Sequence, residues 1–204
     1  ELNATVDVPA TKNIMLVAAE DTTIKRAAGF TGSMFTVNGG NLQMAGGSVT
    51  DSDGTAIGSG SLTVDGSGDG VTGSIVEVVS GNYGLTDDAV LTGNKTTGNG
   101  GAISNTADGS VYLLGGTITG NSATTGGAIY SEGVVSIRGT VSVTGNTVIN
   151  STPETASNVV LDKNGIINVN GAVTGSTIGL AVQEAAAGRT VVKLADGVTD
   201  VTLS

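Results

Sequence analysis

The chain has 204 residues, with 34 glycines against 2 prolines, and three Tyr and two Phe as its only aromatics. Eighteen acidic against eight basic residues give a net charge of −10, which argues against nucleic acid or an anionic membrane surface as a partner. With no Cys and no His, disulfides, zinc–thiolate sites, the usual general base and the commonest metal ligand are all excluded.

Glu1 opens the chain with neither Met nor a signal peptide, as expected of a mature or excised segment. Val6-Asp7-Val8-Pro9, Asn13-Ile14-Met15-Leu16-Val17 and Thr22-Thr23-Ile24-Lys25-Arg26 read as strands, with Pro9 suited to a strand edge or a turn. Residues 1–30 lack the repeat that marks the rest of the chain. They are expected to form a cap or an irregular first coil, since a repeat array needs an atypical terminal unit.

From Phe30 a repeat begins faintly. Leu42-Gln43-Met44-Ala45-Gly46-Gly47-Ser48-Val49-Thr50 aligns with Val111-Tyr112-Leu113-Leu114-Gly115-Gly116-Thr117-Ile118-Thr119, which places Ala56-Ile57 roughly opposite Ala128-Ile129. Leu62-Thr63-Val64 and Ile75-Val76-Glu77-Val78-Val79 continue as strands, alternating imperfectly, as expected for parallel neighbours. Glycine-rich turns surround them, with Asp51-Ser52-Asp53-Gly54 before Leu62 and Asp65-Gly66-Ser67-Gly68-Asp69-Gly70 after Val64.

From Leu91 to Asn146 the repeat is explicit. Leu91-Thr92-Gly93-Asn94, Ile118-Thr119-Gly120-Asn121 and Val143-Thr144-Gly145-Asn146 recur at separations of 27 and then 25 residues, and two Gly-Gly-Ala-Ile blocks, beginning at Gly100 and Gly126, lie 26 apart. A fixed period in this range marks a solenoid, a propeller or an array. Each period holds three short β-like runs and no helical segment, enough for one coil of a parallel β-helix. One coil cannot bury its own apolar face, so Ile103 should stack on Ile129, and Asn94 on Asn121 on Asn146.

Beyond Asn146, Asn150-Ser151-Thr152-Pro153-Glu154-Thr155 reads as a polar insertion. Val159-Val160-Leu161, Ile166-Ile167-Asn168-Val169, Leu180-Ala181-Val182 and Thr190-Val191-Val192-Lys193-Leu194 resume the strands. Gln183 to Ala187 is the one candidate for a helical turn, and Val198 to Leu203 reads as a last strand. The whole is expected to be all-β: a right-handed, single-stranded parallel β-helix of about eight coils at ~25 residues each. Residues 31–182 supply the coils, and residues 183–204 a C-terminal coil leading to a following domain.

The Gly-Gly-Ala-Ile and Thr-Gly-Asn repeats resemble the β-helix regions of large bacterial cell-surface adhesins and autotransporter-like proteins, including the chlamydial polymorphic outer-membrane proteins. Val8-Pro9-Ala10-Thr11-Lys12-Asn13-Ile14, Ala27-Ala28-Gly29-Phe30-Thr31-Gly32, Phe35-Thr36-Val37 and Ala156-Ser157-Asn158-Val159-Val160-Leu161 look like wall-anchored surface proteins of gut-type Gram-positive bacteria. A wall-sorting motif is missing. The resemblance implies a non-catalytic segment at the bacterial cell surface. Such a segment would present a lateral face to a host-surface or glycan ligand, or space further domains of the same chain. It transfers no catalytic residue and no cofactor.

Candidate sites follow from residue type. Asp51, Asp53, Asp65 and Asp69 are oxygen ligands of the kind calcium prefers. The tandem calcium motif is incomplete, however, and the twelfth position of an EF-hand counted from Asp51 is Leu62. Solvated turns suit these residues better. The Asn of each Thr-Gly-Asn is expected to turn the corner, tolerate the left-handed region and stack inside the coil. For a glycan, Tyr83, Tyr112 and Tyr130 are the aromatics available, and Tyr112 and Tyr130 could share a face. A polysaccharide lyase or hydrolase, the rival reading, needs a cation and base or paired carboxylates. Asp87-Asp88 would point to opposite faces of a strand, and Arg138 sits alone. An ice-binding face needs ranks of Thr-x-Thr, and Thr117-Ile118-Thr119 has no evident stacked copy. No membrane insertion is expected, because no apolar run approaches ~20 residues.

Overall fold

Each residue of the Gly-Gly-Ala-Ile block has its own mechanical reason. Gly100 and Gly126 take positive φ of 66° and 63°, a region that side chains disfavour. A Cβ on Gly101 would lie 2.0 Å from the carbonyl oxygen of Gly127, so adjacent coils approach too closely there for any larger residue. Ala102 and Ala128 are fully buried, and the Ala102 N–H donates to the Ala128 carbonyl at 2.8 Å. Ile103 and Ile129 then open paired parallel strands and point inward.

Repeated down the chain, this builds the fold. The computed structural model describes residues 1–149, 152–153, 155–173, 175–183, 187–196 and 198. Among them it is an all-β parallel solenoid of about six turns, without helix. Coil one is Val6–Pro9, Asn13–Val17 and Thr22–Lys25. Coils two and three begin with long strands, Phe35–Ala45 and Val76–Thr86, that bend across two faces at Gly39 and Gly81, and they close with Leu62–Asp65 and Val90–Thr92. Coil four is Ile103–Asn105, Gly109–Leu113 and Thr117–Thr119; coil five is Ile129–Ser131, Val134–Ile137 and Ser142–Thr144. Coil six is Val159–Leu161, Ile166–Val169 and Thr177–Ile178, and Leu180–Val182 with Val192–Leu194 starts another turn.

The core is a set of columns, one residue per coil. On the first face Val6, Phe35, Val76, Ile103, Ile129, Val159 and Leu180 stand in register. On the second, Ile14, Leu42, Tyr83, Val111, Val135, Ile167 and Val192 do so. On the third the column is Ile24, Val64, Leu91, Ile118, Val143 and Ile178. Residues 1–30 therefore form a coil in register with the others, Leu2 bridging Arg26 across it.

The eight coils expected from the period become about six because coil two is longer than the repeat. Between the strand starts at Phe35 and Val76, 41 residues apart, the chain inserts an antiparallel hairpin of Val49–Thr50 with Ala56–Gly58. The alignment of Leu42 with Val111 holds in space. It fails after Gly47: Val64, not Val49, takes the column of Ile118, and Phe35 rather than Ile57 takes that of Ile129. Ile57 is 40% exposed. A second departure comes after Asn146, where Thr147–Val148 pairs antiparallel with Thr155–Ala156. Asn150, Ser151 and Glu154 of that insertion lie outside the described residues, as do 184–186 of the expected helical turn and 199–203 of the expected last strand.

At the corner after the third face runs a buried asparagine ladder. The Asn94 N–H donates to Asn121 Oδ1 at 3.1 Å, the Asn121 N–H to Asn146 Oδ1 at 3.0 Å, and the Asn146 N–H to Asn158 Oδ1 at 3.3 Å. The amide nitrogens add bonds within and between coils: Asn121 Nδ2 donates to the carbonyls of Leu91 and Thr119 and to Asn146 Oδ1. The left-handed residue in each Thr-Gly-Asn is the glycine, at φ 78°, 67° and 68° for Gly93, Gly120 and Gly145, and not the Asn as the sequence suggested. That leaves each Asn free to point inward.

Arg26 ends this ladder. It is buried, and its Nη2 donates to Asn94 Oδ1 at 3.3 Å, its Nε to the Gly66 carbonyl at 2.9 Å and its Nη1 to the carbonyls of Phe30 and Gly32. The guanidinium also lies 5.2 Å from the Phe30 ring centre, within cation–π range. Its pKa is pulled down by burial. Coil two makes room with glycines, since a Cβ on Gly66 would lie 2.7 Å from Asn94 Cβ and one on Gly68 2.8 Å from Arg26 Cδ.

Ile129→Asp should cost about 4 kcal/mol or more in urea unfolding, because it places an unpaired charge in a dry column. A midpoint near that of the parent would refute the register. Asn121→Asp should give pH-dependent stability. Its carboxylate would lose the donors to Leu91 and Thr119 and face Asn146 Oδ1, so the neutral acid is favoured and the folded pKa rises above the unfolded ~3.9. The folded state then binds more protons, and stability falls as pH rises from about 4 to that raised pKa. Melts from pH 3.5 to 7 check the sign.

Candidate functional site: a lateral groove on the second face

Inward columns imply outward ones. On the second face the outward row is Met15, Gln43, Gly84 and Tyr112, one residue from each of coils one to four, continuing to Ser136, Asn168 and Lys193. Met15 is 47% and Tyr112 37% exposed, and between them Gly84 has no side chain. A depression of about 350 Å3 opens there, flanked on one side by Asn13, Asn41 and Asn82 and on the other by Leu114. The flanking amides form a second, external ladder. Asn82 Nδ2 donates to Asn41 Oδ1 at 2.6 Å, and Asn41 Nδ2 donates to Asn13 Oδ1. Asn82 Oδ1 and Asn13 Nδ2, at its ends, remain available.

None of the residues lining this groove is charged. Gly84 does not carry positive φ, and a Cβ there would meet Gln43 Cγ at an ordinary 3.6 Å. The depression is thus a missing side chain and not a backbone requirement. Tyr112 was legible as a candidate. Met15, Gln43, Gly84 and the external Asn row were not, because their partnership spans nearly one hundred positions of sequence and rests on coil-to-coil register.

The structure distributes the other candidates. Tyr130 projects from the first face, between Ser104 and Val160, so it does not share Tyr112's face. Burial, with the charges of Asp162 and Glu132, pushes its hydroxyl pKa up. Tyr83 is fully buried in a core column with its hydroxyl 3.4 Å from Met44 Sδ, so it is not available to a ligand, and burial pushes its pKa up.

Asp51, Asp53 and Asp69 lie in turns, and Asp65 ends the strand Leu62–Asp65 where the next turn begins. Asp51 Oδ1 accepts the N–H groups of Asp53 and Thr55, both at 2.9 Å, within the inserted hairpin. Asp65 Oδ1 accepts the Ser67 N–H at 3.0 Å and its hydroxyl at 2.6 Å, and Asp69 lies further along the glycine-rich turn that encloses Arg26. Among the described residues no three Asp, Glu, His or Cys side chains converge as a metal site would require.

Two further readings change. Asp87 and Asp88 occupy a turn, not a strand, with Asp87 at φ 50°, and both line one open depression of about 450 Å3 with Thr117, Thr140 and Ser142. No basic side chain lines it. Arg138 comes directly after Val134–Ile137 and is exposed. Thr117-Ile118-Thr119 does have stacked counterparts: Thr117 pairs with Val90 and Ser142, and Thr119 with Thr92 and Thr144. Val and Ser at these positions hid the ranks in the sequence. One column runs Thr23, Thr63, Val90, Thr117, Ser142 and Thr177, interrupted at Val90, and the other holds Thr92, Thr119 and Thr144 and gives way to Asp65, so paired ranks occur only in coils four and five.

No protein-family model, curated protein or solved structure matches this chain.

Millimolar Ca2+ should leave the melting temperature unchanged, because Asp51 Oδ1 and Asp65 Oδ1 are already engaged by turn donors and no third acidic side chain converges on either among the described residues. A rise abolished by Asp53→Asn combined with Asp69→Asn would instead make this a metal site.

Proposed function

We propose that the chain is a non-catalytic segment of an extracellular bacterial surface adhesin, presenting a lateral binding face or serving as a rigid spacer, and of these two we favour the binding face. The observation that carries this is the uncharged groove at Gly84, set on the wall of a solenoid whose repeats supply an extended, regular surface. A fold alone does not specify function; the groove's chemistry is what favours binding over turnover. The Gly-Gly-Ala-Ile and Thr-Gly-Asn repeats, which resemble those of surface adhesins, support the same reading.

The rival is a polysaccharide-active enzyme, a uronate lyase or hydrolase on a pectate-lyase-like solenoid. Its best support is the shared depression at Asp87 and Asp88. A lyase needs a cation to neutralise the uronate and a base to take the proton, and no basic side chain lines that depression to supply either. With a net charge of −10, acidic polymers should also bind poorly at neutral pH.

Incubation with pectate and alginate should therefore yield no unsaturated uronate and no new reducing ends. Product formation that is lost on Arg138→Ala or on Asp88→Asn would overturn the adhesin reading.

A further inference from the structure

We infer that the groove floored by Gly84 is a binding site for a neutral oligosaccharide lying across the coils, an inference that rests on the binding-face reading above and gives it a ligand class. The row Met15–Gln43–Gly84–Tyr112 spans three coil-to-coil steps, roughly 14 Å at ~4.8 Å each. It offers the two kinds of contact that a pyranose chain needs together. Tyr112 presents an exposed ring at one end of the depression and Met15 an exposed thioether at the other, both suited to the apolar C–H faces of sugars. Along one flank the Asn13–Asn41–Asn82 ladder offers both donors and acceptors, matching hydroxyls that donate and accept at once. Because each amide is already held by its neighbour, little side-chain entropy remains to be lost on binding.

The same features exclude the other classes. An acidic glycan, a phosphate or a charged peptide would meet no countercharge in the lining. A peptide adding as an extra strand would bind the open edge of Asn13–Val17, which pairs only with Phe35–Ala45, and not the groove itself, which lies on the face of the sheet and presents side chains. Gly84 decides the shape: any larger residue in this row would fill the space between Gln43 and Tyr112.

The test displays immobilised hexamers of glucose, mannose, xylose, galactose and N-acetylglucosamine to the purified chain, beside polygalacturonate and an apolar peptide, and then titrates whatever binds. At least one neutral hexamer should be retained. Tyr112→Ala and Gly84→Leu should each weaken it about tenfold or more, while Tyr112→Phe keeps the stacking ring and stays close to the parent. Tyr130→Ala, on the other face, should change nothing. Each variant is compared at matched melting temperature. Asn82→Asp, an exposed change that removes the donor to Asn41 Oδ1 and puts a charge on the flank, tests the site independently if Tyr112→Ala does not fold: it should weaken the hexamer severalfold, and undiminished binding overturns the inference. Retention of none of the neutral hexamers overturns the inference, as does binding that survives Gly84→Leu or retention of the apolar peptide alone. Binding lost on Tyr130→Ala instead would move the site to the first face and leave the adhesin reading standing. Turnover of polygalacturonate would remove that reading itself.

Discussion

The structure depends on satisfying the polar backbone at the corner after the third face, coil after coil. Parallel strands use their own N–H and C=O groups between coils, but a corner turned by a left-handed glycine leaves an N–H facing a dry interior. An unpaired buried donor costs about 1–3 kcal/mol. Each Asn answers it for the coil before: Asn121 Oδ1 takes the Asn94 N–H, and Asn146 Oδ1 takes that of Asn121. From coil three onward each corner's N–H is thus accepted by the next Asn, so register there is specified by hydrogen bonding as well as by packing. The ladder must also end. At one end Arg26 does this from coil one, passing coil two through the space left by Gly66 and Gly68. Its partners are carbonyls and an amide, so the buried charge is held by dipoles rather than by a carboxylate.

Once register is set, the surface is set with it. A residue two positions along a strand shares its face, and the equivalent residue one coil away sits directly beside it. The outer wall is thus a lattice whose rows are written once per coil. A groove needs only one small residue in a row of larger ones, as at Gly84 between Gln43 and Tyr112. Catalysis needs several groups converging on one atom. A binding face can form by local substitution without disturbing the core columns.

Much of this was legible. The stacking of Ile103 on Ile129, the internal Asn ladder, and the three strands in residues 1–30 come from period and residue type, because a repeated motif must meet its own copy in a solenoid. Reading failed where the period was broken or disguised. The hairpin at Val49–Thr50 and Ala56–Gly58 looked like repeat sequence because its residues are strand formers, and only pairing shows that Val64 takes the place beside Leu91. The Asp65 to Gly70 stretch reads in sequence as a solvated turn, and only the structure shows that its Gly68 makes space for Arg26, some forty residues earlier.

By itself, then, the sequence determined an all-β solenoid, the stack of Ile103 on Ile129 and the polar ladder, since these depend on a motif recurring at a near-constant interval. The tertiary structure alone decided how many coils that makes, which end of the ladder carries Arg26, that Tyr83 is buried while Tyr112 faces solvent, and that Tyr130 lies on another face. The physical reason is that inside and outside alternate every residue, and coil length varies with each insertion. A single inserted hairpin therefore leaves the motif recognisable while changing which residues after Gly47 meet the next coil, and a surface groove consists of nothing but such partners.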